Sequence, residues 1–195
     1  WYYLLILRFA EAKGKRVELW GNGVDKIKGK VSRRATADAL SKCAFLGLRD
    51  RDSVREVCSL VAEFGKSAPC IRLESDLAAR AFDESQTSGK YVLSRFGISE
   101  RERFVAVALR GVESRENVRR LGEFLHALVG EGMKLVFVVM YPDEDLKMTR
   151  KMCEYLGGVL AYPLGAADVQ AIMRRCCLVC SMRYHALVFA HAVGT

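Results

Sequence analysis

Hydrophobic stretches long enough to cross a membrane are missing from this 195-residue sequence. Its apolar runs fall well short of the roughly 18 residues that a spanning helix needs, so no transmembrane segment is predicted. The segment from Trp1 to Leu7 carries neither a basic leader nor a small-residue cleavage site, so no secretory signal peptide is predicted. Because the chain has no initiator Met and ends just after a predicted helix, we expect a piece of a longer protein.

Several well-known site motifs are also absent. There is no Walker A sequence and no Gly-x-Ser-x-Gly. A Gly-x-Gly pair, Gly21-Asn22-Gly23, follows a predicted strand, but Lys26 takes the third glycine position of a dinucleotide loop. Two interpretations stay open, a loop that lets a ligand approach closely and an ordinary turn. Cys177-x-x-Cys180 has no second pair of matching spacing, so buried thiols are predicted and no metal site.

Charge and cysteine usage set broad limits on partners and location. The net charge is +8, from 31 Lys and Arg against 23 Asp and Glu, which favours anionic partners. Nucleic acid is not predicted, because the basic residues are scattered over predicted helices without a recognition motif. Seven cysteines, an odd number, lie mostly in apolar runs without a secretory signal. This pattern predicts reduced, buried thiols in a cytoplasmic protein.

Helical and extended patterns alternate along the chain, which predicts an α/β fold with mostly parallel sheets. Hydrophobic residues make up 51% of the sequence, enough for a substantial core. The predicted strands are 16–20, 44–48, 70–73, 103–109, 134–140, 158–162 and 177–180. We predict the C-terminal part of one Rossmann-like domain at 1–80, a linker at 81–101 that lacks an apolar period, and a second Rossmann-like domain at 102–195, truncated at its end. The first unit is expected to be incomplete.

The most informative stretch is Arg183-Tyr184-His185, between the last predicted strand and a buried helix. In open α/β folds ligands bind where strands end and helix amides point outward. A fixed cation beside an imidazole suits an anionic substrate that also needs a proton moved. The alternative is that His185 only caps its own helix or packs against it.

Other polar residues also follow predicted strands. Arg49-Asp50 and Asp76 do so in the first unit, and Arg110 does so in the second. They would converge with Arg183 if the sheets faced each other across a cleft. For Arg49-Asp50 the alternative is a helix N-cap with a local ion pair.

Two predicted helix starts also depend on side-chain chemistry. Ser53 and Glu56 have the spacing of a capping box, which places a helix start at Ser53. Asp143 and Asp145 are interpreted as carboxylates that favour a helix N-terminus.

Taken together, the motifs resemble those of the polysaccharide pyruvyl transferases in order and spacing, over essentially the whole chain. The matching segments are Trp20-Gly21-Asn22-Gly23-Val24, Arg49-Asp50-x-x-Ser53, Ser75-Asp76, Ala108-Leu109-Arg110 and Arg183-Tyr184-His185-Ala186-Leu187-Val188-Phe189-Ala190. The sequence departs from the family pattern at Asp25-Lys26, where Gly-Pro is usual, and at Ser181, where Gly is common.

The resemblance implies a glycosyltransferase-B-like fold and transfer of a pyruvyl group from phosphoenolpyruvate to two hydroxyls of one sugar. It implies His185 as general acid and base, and Arg183 and Arg110 as groups that hold the donor and the departing phosphate. Asp76 or Asp50 would orient or deprotonate the acceptor. Further substrate-binding candidates are Gly21, Asn22, Gly23 and Arg49.

The implied partners are phosphoenolpyruvate and a glycan or lipid-linked saccharide of cell-wall polysaccharide biosynthesis, with no cofactor. Peripheral contact with the inner face of the membrane is left open. Two other functions also stay open. One is a sugar-nucleotide glycosyltransferase of the same fold, in which the arginines would hold a diphosphate. The other is a non-catalytic anion-binding module.

Overall fold

A computed structural model describes residues 2–79, 89–111 and 115–195. It divides the chain into two compact units, Trp1–Leu77 and Ala78–Thr195. Each unit is an α/β structure with its own parallel sheet. Across the described residues, no helix combines the length and apolar character that spanning a membrane requires.

The first unit contains a three-stranded parallel sheet of order β1-β2-β3. Its elements are α1 (Tyr2–Ala12), β1 (Glu18–Asn22), α2 (Lys30–Leu40), β2 (Phe45–Leu48), α3 (Arg51–Glu63) and β3 (Cys70–Leu73). Val57, Leu60 and Val61 recur at helical spacing on α3 and are all buried. Val57 and Val61 share a core cluster with Leu46 and Leu48 of the central strand. This packing fixes where β2 ends and α3 begins.

The second unit contains a four-stranded parallel sheet of order β6-β5-β4-β7. Its elements are α4 (Gly89–Ser94), β4 (Phe104–Ala108), α5 (Arg115–Gly130), β5 (Lys134–Val138), α6 (Pro142–Leu156), β6 (Val159–Ala161), α7 (Ala166–Arg175), β7 (Leu178–Ser181) and α8 (Tyr184–Ala192). Strand β4 is buried along its whole length, and its alternate residues belong to two separate core clusters. Helices therefore cover both faces of this sheet, as its continuous apolar strands predict.

The structure differs from the predicted linker. Residues 81–88 of the predicted 81–101 segment lie outside the described residues. Residues 89–94 form helix α4, and Val92, Leu93 and Ile98 are buried in a core cluster of the second unit. This half of the segment is therefore part of the packed second unit. A helix of six residues is too short to show an apolar period.

The cysteines are less uniformly buried than predicted. Cys43, Cys153 and Cys176 are buried, but three others are exposed, and all seven are free thiols. The exposed ones are Cys58, Cys70 and Cys177. Burial in apolar surroundings raises the pKa of the Cys176 thiol to about 11.

Candidate functional site

The carboxyl ends of β4 and β7 meet at one edge of the second sheet. The two strands pair in parallel, with Ala108 opposite Ser181. Arg110 and Arg183 each lie two residues beyond this pair, so both leave the sheet at the same edge. That edge is where open α/β folds bind their ligands.

A cavity of about 450 Å³ opens at this edge of the second unit. Arg183 and His185 both line it, whereas Arg110 is not among the described residues of its wall. The other lining residues are mostly apolar and come from the end of β5, the start of α7 and helix α8: Val139, Met140, Tyr141, Leu164, Gly165, Ala166, Val169, Tyr184 and Phe189. Apolar walls with a few polar groups are typical of small-molecule sites.

Arg183 directly precedes α8 and is held by two acidic residues of α6. Its Nε donates to Oδ2 of Asp145 at 2.9 Å, and its Nη2 donates to Oδ1 of Asp145 and, at 2.7 Å, to Oε2 of Glu144. The hydrogen bonds that Arg183 donates to Asp145 and then to Glu144 raise the pKa of the guanidinium further above its ordinary value. The arginine predicted to hold an anionic donor therefore already forms ion pairs with two carboxylates of its own unit.

Asp145 holds this edge together, although the sequence pattern predicted only a helix start for it. Its side chain is fully buried. Besides Arg183, it accepts hydrogen bonds from the backbone N–H of Gly111 at 3.2 Å and of Tyr141 at 3.1 Å. One carboxylate thus joins the segments that follow β4, β5 and β7.

Gly111 lets the segment after β4 approach helix α6 closely. A Cβ at this position would lie 1.8 Å from the carbonyl oxygen of Glu144. Backbone atoms cannot move aside as a flexible side chain can, so the site needs glycine here. This requirement explains why the chain reads Arg110-Gly111 at the end of an otherwise apolar strand.

His185 is the second residue of α8 and is exposed at the cavity wall. Its ring lies edge-on to the ring of Tyr184, with 5.4 Å between the ring centroids. An accessible imidazole in a cavity wall can contact a molecule bound there through either ring nitrogen. The ring contact with Tyr184 lies within α8, and the side chain of His185 also lines the cavity.

Arg110 lies outside the cavity wall but at the same edge. Its side chain is exposed, and within the described residues its guanidinium makes no hydrogen bond or ion pair. The structure therefore brings together Arg183 and His185 in one cavity, and leaves Arg110 as an accessible cation beside it.

The first unit has a more polar cavity of about 790 Å³ where β2 ends and α3 begins. Three of the residues that the sequence predicts to bind substrate lie in its wall: Gly23, Arg49 and Asp50. Gly21 and Asn22 end strand β1 and are not among its lining residues. Further charged residues in its wall are Asp25, Lys26, Arg33, Asp52, Arg55 and Glu56.

Arg49 is positioned by a carboxylate and by the absence of a side chain at Gly23. Its Nη1 donates to Oδ2 of Asp76 at 3.1 Å, and its Nε lies 3.8 Å from Oδ2 of Asp50. A Cβ on Gly23 would lie 2.6 Å from the Nε of Arg49. Asp76, predicted to act on the acceptor, is thus part of an ion pair at this edge.

Asp50 is the N-cap of α3, which corrects the predicted helix start at Ser53. Its Oδ1 accepts the backbone N–H of Ser53 at 2.7 Å. This hydrogen bond is the main reason that the pKa of Asp50 is lowered. Ser53 instead accepts the backbone N–H of Val24, and Glu56 accepts that of Ile27, so both hold the glycine loop rather than forming a capping box.

A comparison with protein families decides the affiliation. The family model for polysaccharide pyruvyl transferases matches residues 1–195, the whole of this chain. The chain belongs to this family. No curated protein sequence matches this pyruvyl transferase family member.

Among solved structures, this member of the pyruvyl transferase family is similar to the glycosyl transferase family 9 protein from Veillonella parvula DSM 2008. The identity is 15% and the TM-score 0.52, with 98% of this chain and 59% of that chain covered. Likeness at this level of identity shows the fold alone. The predicted α/β fold with glycosyltransferase-B-like Rossmann units is confirmed, and this chain spans 59% of the length of the solved relative.

Proposed function

We propose that this chain is the part of a polysaccharide pyruvyl transferase that receives phosphoenolpyruvate and forms a pyruvate ketal on a sugar. The family match over residues 1–195 supports the class of reaction. The observation that carries the proposal at residue level is that Arg183 and His185 line one cavity at a sheet edge. A cation and an exposed imidazole are the two groups that this donor requires.

The chemistry follows from the donor. Phosphoenolpyruvate carries a phosphate and a carboxylate, and guanidinium groups bind both with paired hydrogen bonds. Protonation of its methylene carbon forms the new C–H bond and leaves an oxocarbenium-like carbon, which one sugar hydroxyl attacks. The C–O bond to phosphate then breaks, and the second hydroxyl closes the ring. Of the two hydroxyl protons, one restores the acid and the other leaves with phosphate.

In this proposal His185 gives the proton to the methylene carbon and recovers it from a hydroxyl. Arg183 and Arg110 offset the donor's charge and stabilise the departing phosphate. Asp50 and Asp76 remain weaker candidates for contact with the acceptor, since capping of α3 and the ion pair with Arg49 already account for their positions. The acceptor is a glycan or a lipid-linked saccharide, and the reaction as written needs no cofactor.

The test is release of phosphate from phosphoenolpyruvate in the presence of candidate glycans. If His185 moves the proton, His185→Ala should lower turnover by a factor on the order of 100 or more. His191→Ala is a matched control, because His191 is an exposed histidine at the other end of α8, and it should leave turnover unchanged.

Unchanged turnover in His185→Ala would remove this residue from the mechanism. The donor is tested separately by thermal unfolding, since a bound ligand stabilises the folded state. Protection by phosphoenolpyruvate supports the proposal. Protection by a nucleoside diphosphate alone would instead support a sugar-nucleotide glycosyltransferase.

A further inference from the structure

The two carboxylates on Arg183 differ sharply in burial. The side chain of Asp145 is 0% exposed, whereas that of Glu144 is 46% exposed. They are neighbours in the first turn of α6, yet one lies in the protein interior and the other at the surface. The two partners therefore cannot have the same role.

The guanidinium of Arg183 has two edges that can donate paired hydrogen bonds, and its two partners contact different edges. Asp145 takes the edge formed by Nε and Nη2, with one carboxylate oxygen for each nitrogen. Glu144 contacts the second edge through Nη2 alone, at 2.7 Å. Within the described residues Nη1 makes no hydrogen bond. The second edge, which has the geometry to bind two oxygens, thus carries a single contact.

That contact is easy to replace. An ion pair with a partly exposed carboxylate contributes little to stability, because water screens it and ordering a long side chain costs entropy. A carboxylate or phosphate group that takes both nitrogens of an arginine edge forms two charge-assisted hydrogen bonds. The pair with Asp145 is different, since leaving a fully buried carboxylate without its partner is strongly unfavourable. An incoming anion would therefore displace Glu144 and leave Asp145 in place.

We propose that Glu144 is an exchangeable counter-ion that covers an oxyanion-binding edge, formed by Nη1 and Nη2, of the cavity-lining residue Arg183. The ligand group is a phosphate or a carboxylate. This proposal rests on the proposed function in one respect: phosphoenolpyruvate carries both groups. Asp145 fixes the direction of the guanidinium, and Glu144 lowers its affinity for anions until one binds.

The experiment is calorimetric titration of inorganic phosphate, pyruvate and phosphoenolpyruvate into three versions of the chain. Glu144→Gln removes the competing charge and should bind the anions about tenfold more tightly, as expected for loss of one nearby charge. Asp143→Asn is the matched control. It removes an exposed carboxylate from the same first turn of α6, one that makes no ion pair or hydrogen bond within the described part of the chain, and should change affinity less than about twofold. Comparing phosphate with pyruvate shows which of the two groups occupies the edge.

Equal or weaker anion binding by Glu144→Gln would overturn the proposal. Equal tightening by Asp143→Asn would overturn it as well, because the effect would then be general electrostatics. Neither result depends on turnover. A chain that shows the Glu144 effect but never releases phosphate from phosphoenolpyruvate refutes the proposed function alone, and turnover without the Glu144 effect refutes the counter-ion alone.

Discussion

Each unit of this molecule places an arginine just beyond a parallel strand and pairs it with an aspartate, but the two pairs are built differently. Arg49 directly follows β2, and its partner Asp76 follows β3, the adjacent strand of the sheet. Arg183 follows β7, and its partner Asp145 lies beyond β5, two strands away. The second pair therefore spans the end of β4.

This difference determines how each arginine is held. Asp145 lies beyond the end of β4 and is fully buried. It also accepts hydrogen bonds from two backbone N–H groups, so its carboxylate is held in place and fixes the direction of the Arg183 guanidinium. The side chain of Asp76 is 12% exposed, and its partner Arg49 lines the larger, more polar cavity of the first unit. A buried anchor leaves the far edge of its arginine available to a ligand. We therefore expect substitutions around Arg183 to affect stability more than equivalent ones around Arg49.

The largest effect on stability is expected at Gly111, where the segment after β4 approaches helix α6. In Gly111→Ala the new methyl group would meet the backbone of Glu144 at 1.8 Å, so the segment after β4 must move away from α6. This movement also pulls the Gly111 N–H from Asp145. We expect a loss of at least about 3 kcal/mol in the free energy of unfolding, measured by urea denaturation.

Gly130→Ala is the control for this substitution. Gly130 ends α5, and a Cβ there has nothing within 4 Å. Alanine should leave stability unchanged or raise it by up to about 1 kcal/mol, because it favours the helix. If both alanine variants behave alike, the close approach of the β4 segment to α6 is not a requirement of the fold.

The second prediction compares the two anchors directly. Asp145→Asn replaces a buried acceptor by a neutral amide and leaves Arg183 and at least one backbone N–H without full pairing, so the loss should be about 3 kcal/mol. Asp76→Asn, in a more open site, should lose about 1 kcal/mol. Urea unfolding followed by circular dichroism measures both. Equal losses would show that burial does not distinguish the two pairs.

Much of this fold follows from the sequence, because its information is local. The apolar runs that predict strands at 103–109 and 134–140 contain the observed β4 and β5, and the polar residues after strands lie at sheet edges. The role of Asp145 could not be found in this way. Its partners Gly111 and Arg183 lie 34 and 38 residues away, and a carboxylate near a helix start has a sufficient local explanation. The pairing of Arg183 was missed for the same reason.

The smallest effect concerns Asp50, which borders Arg49 and caps α3. Asp50→Ala removes the acceptor for the Ser53 N–H and should cost about 1 kcal/mol at pH 7, whereas Asp50→Asn keeps a good cap.

Because the pKa of Asp50 is lowered in the folded state, its stabilisation is present above the unfolded pKa and is lost as pH falls through the folded value. The native chain should therefore have a larger free energy of unfolding than Asp50→Ala at neutral pH, and this difference should shrink below about pH 4. Asp50→Asn keeps a pH-independent cap. Urea unfolding at pH 7 and at pH 3 measures these differences. An advantage over Asp50→Ala that does not shrink in acid would mean that the charge of Asp50 adds nothing to the cap, and that its place beside Arg49 has another cause.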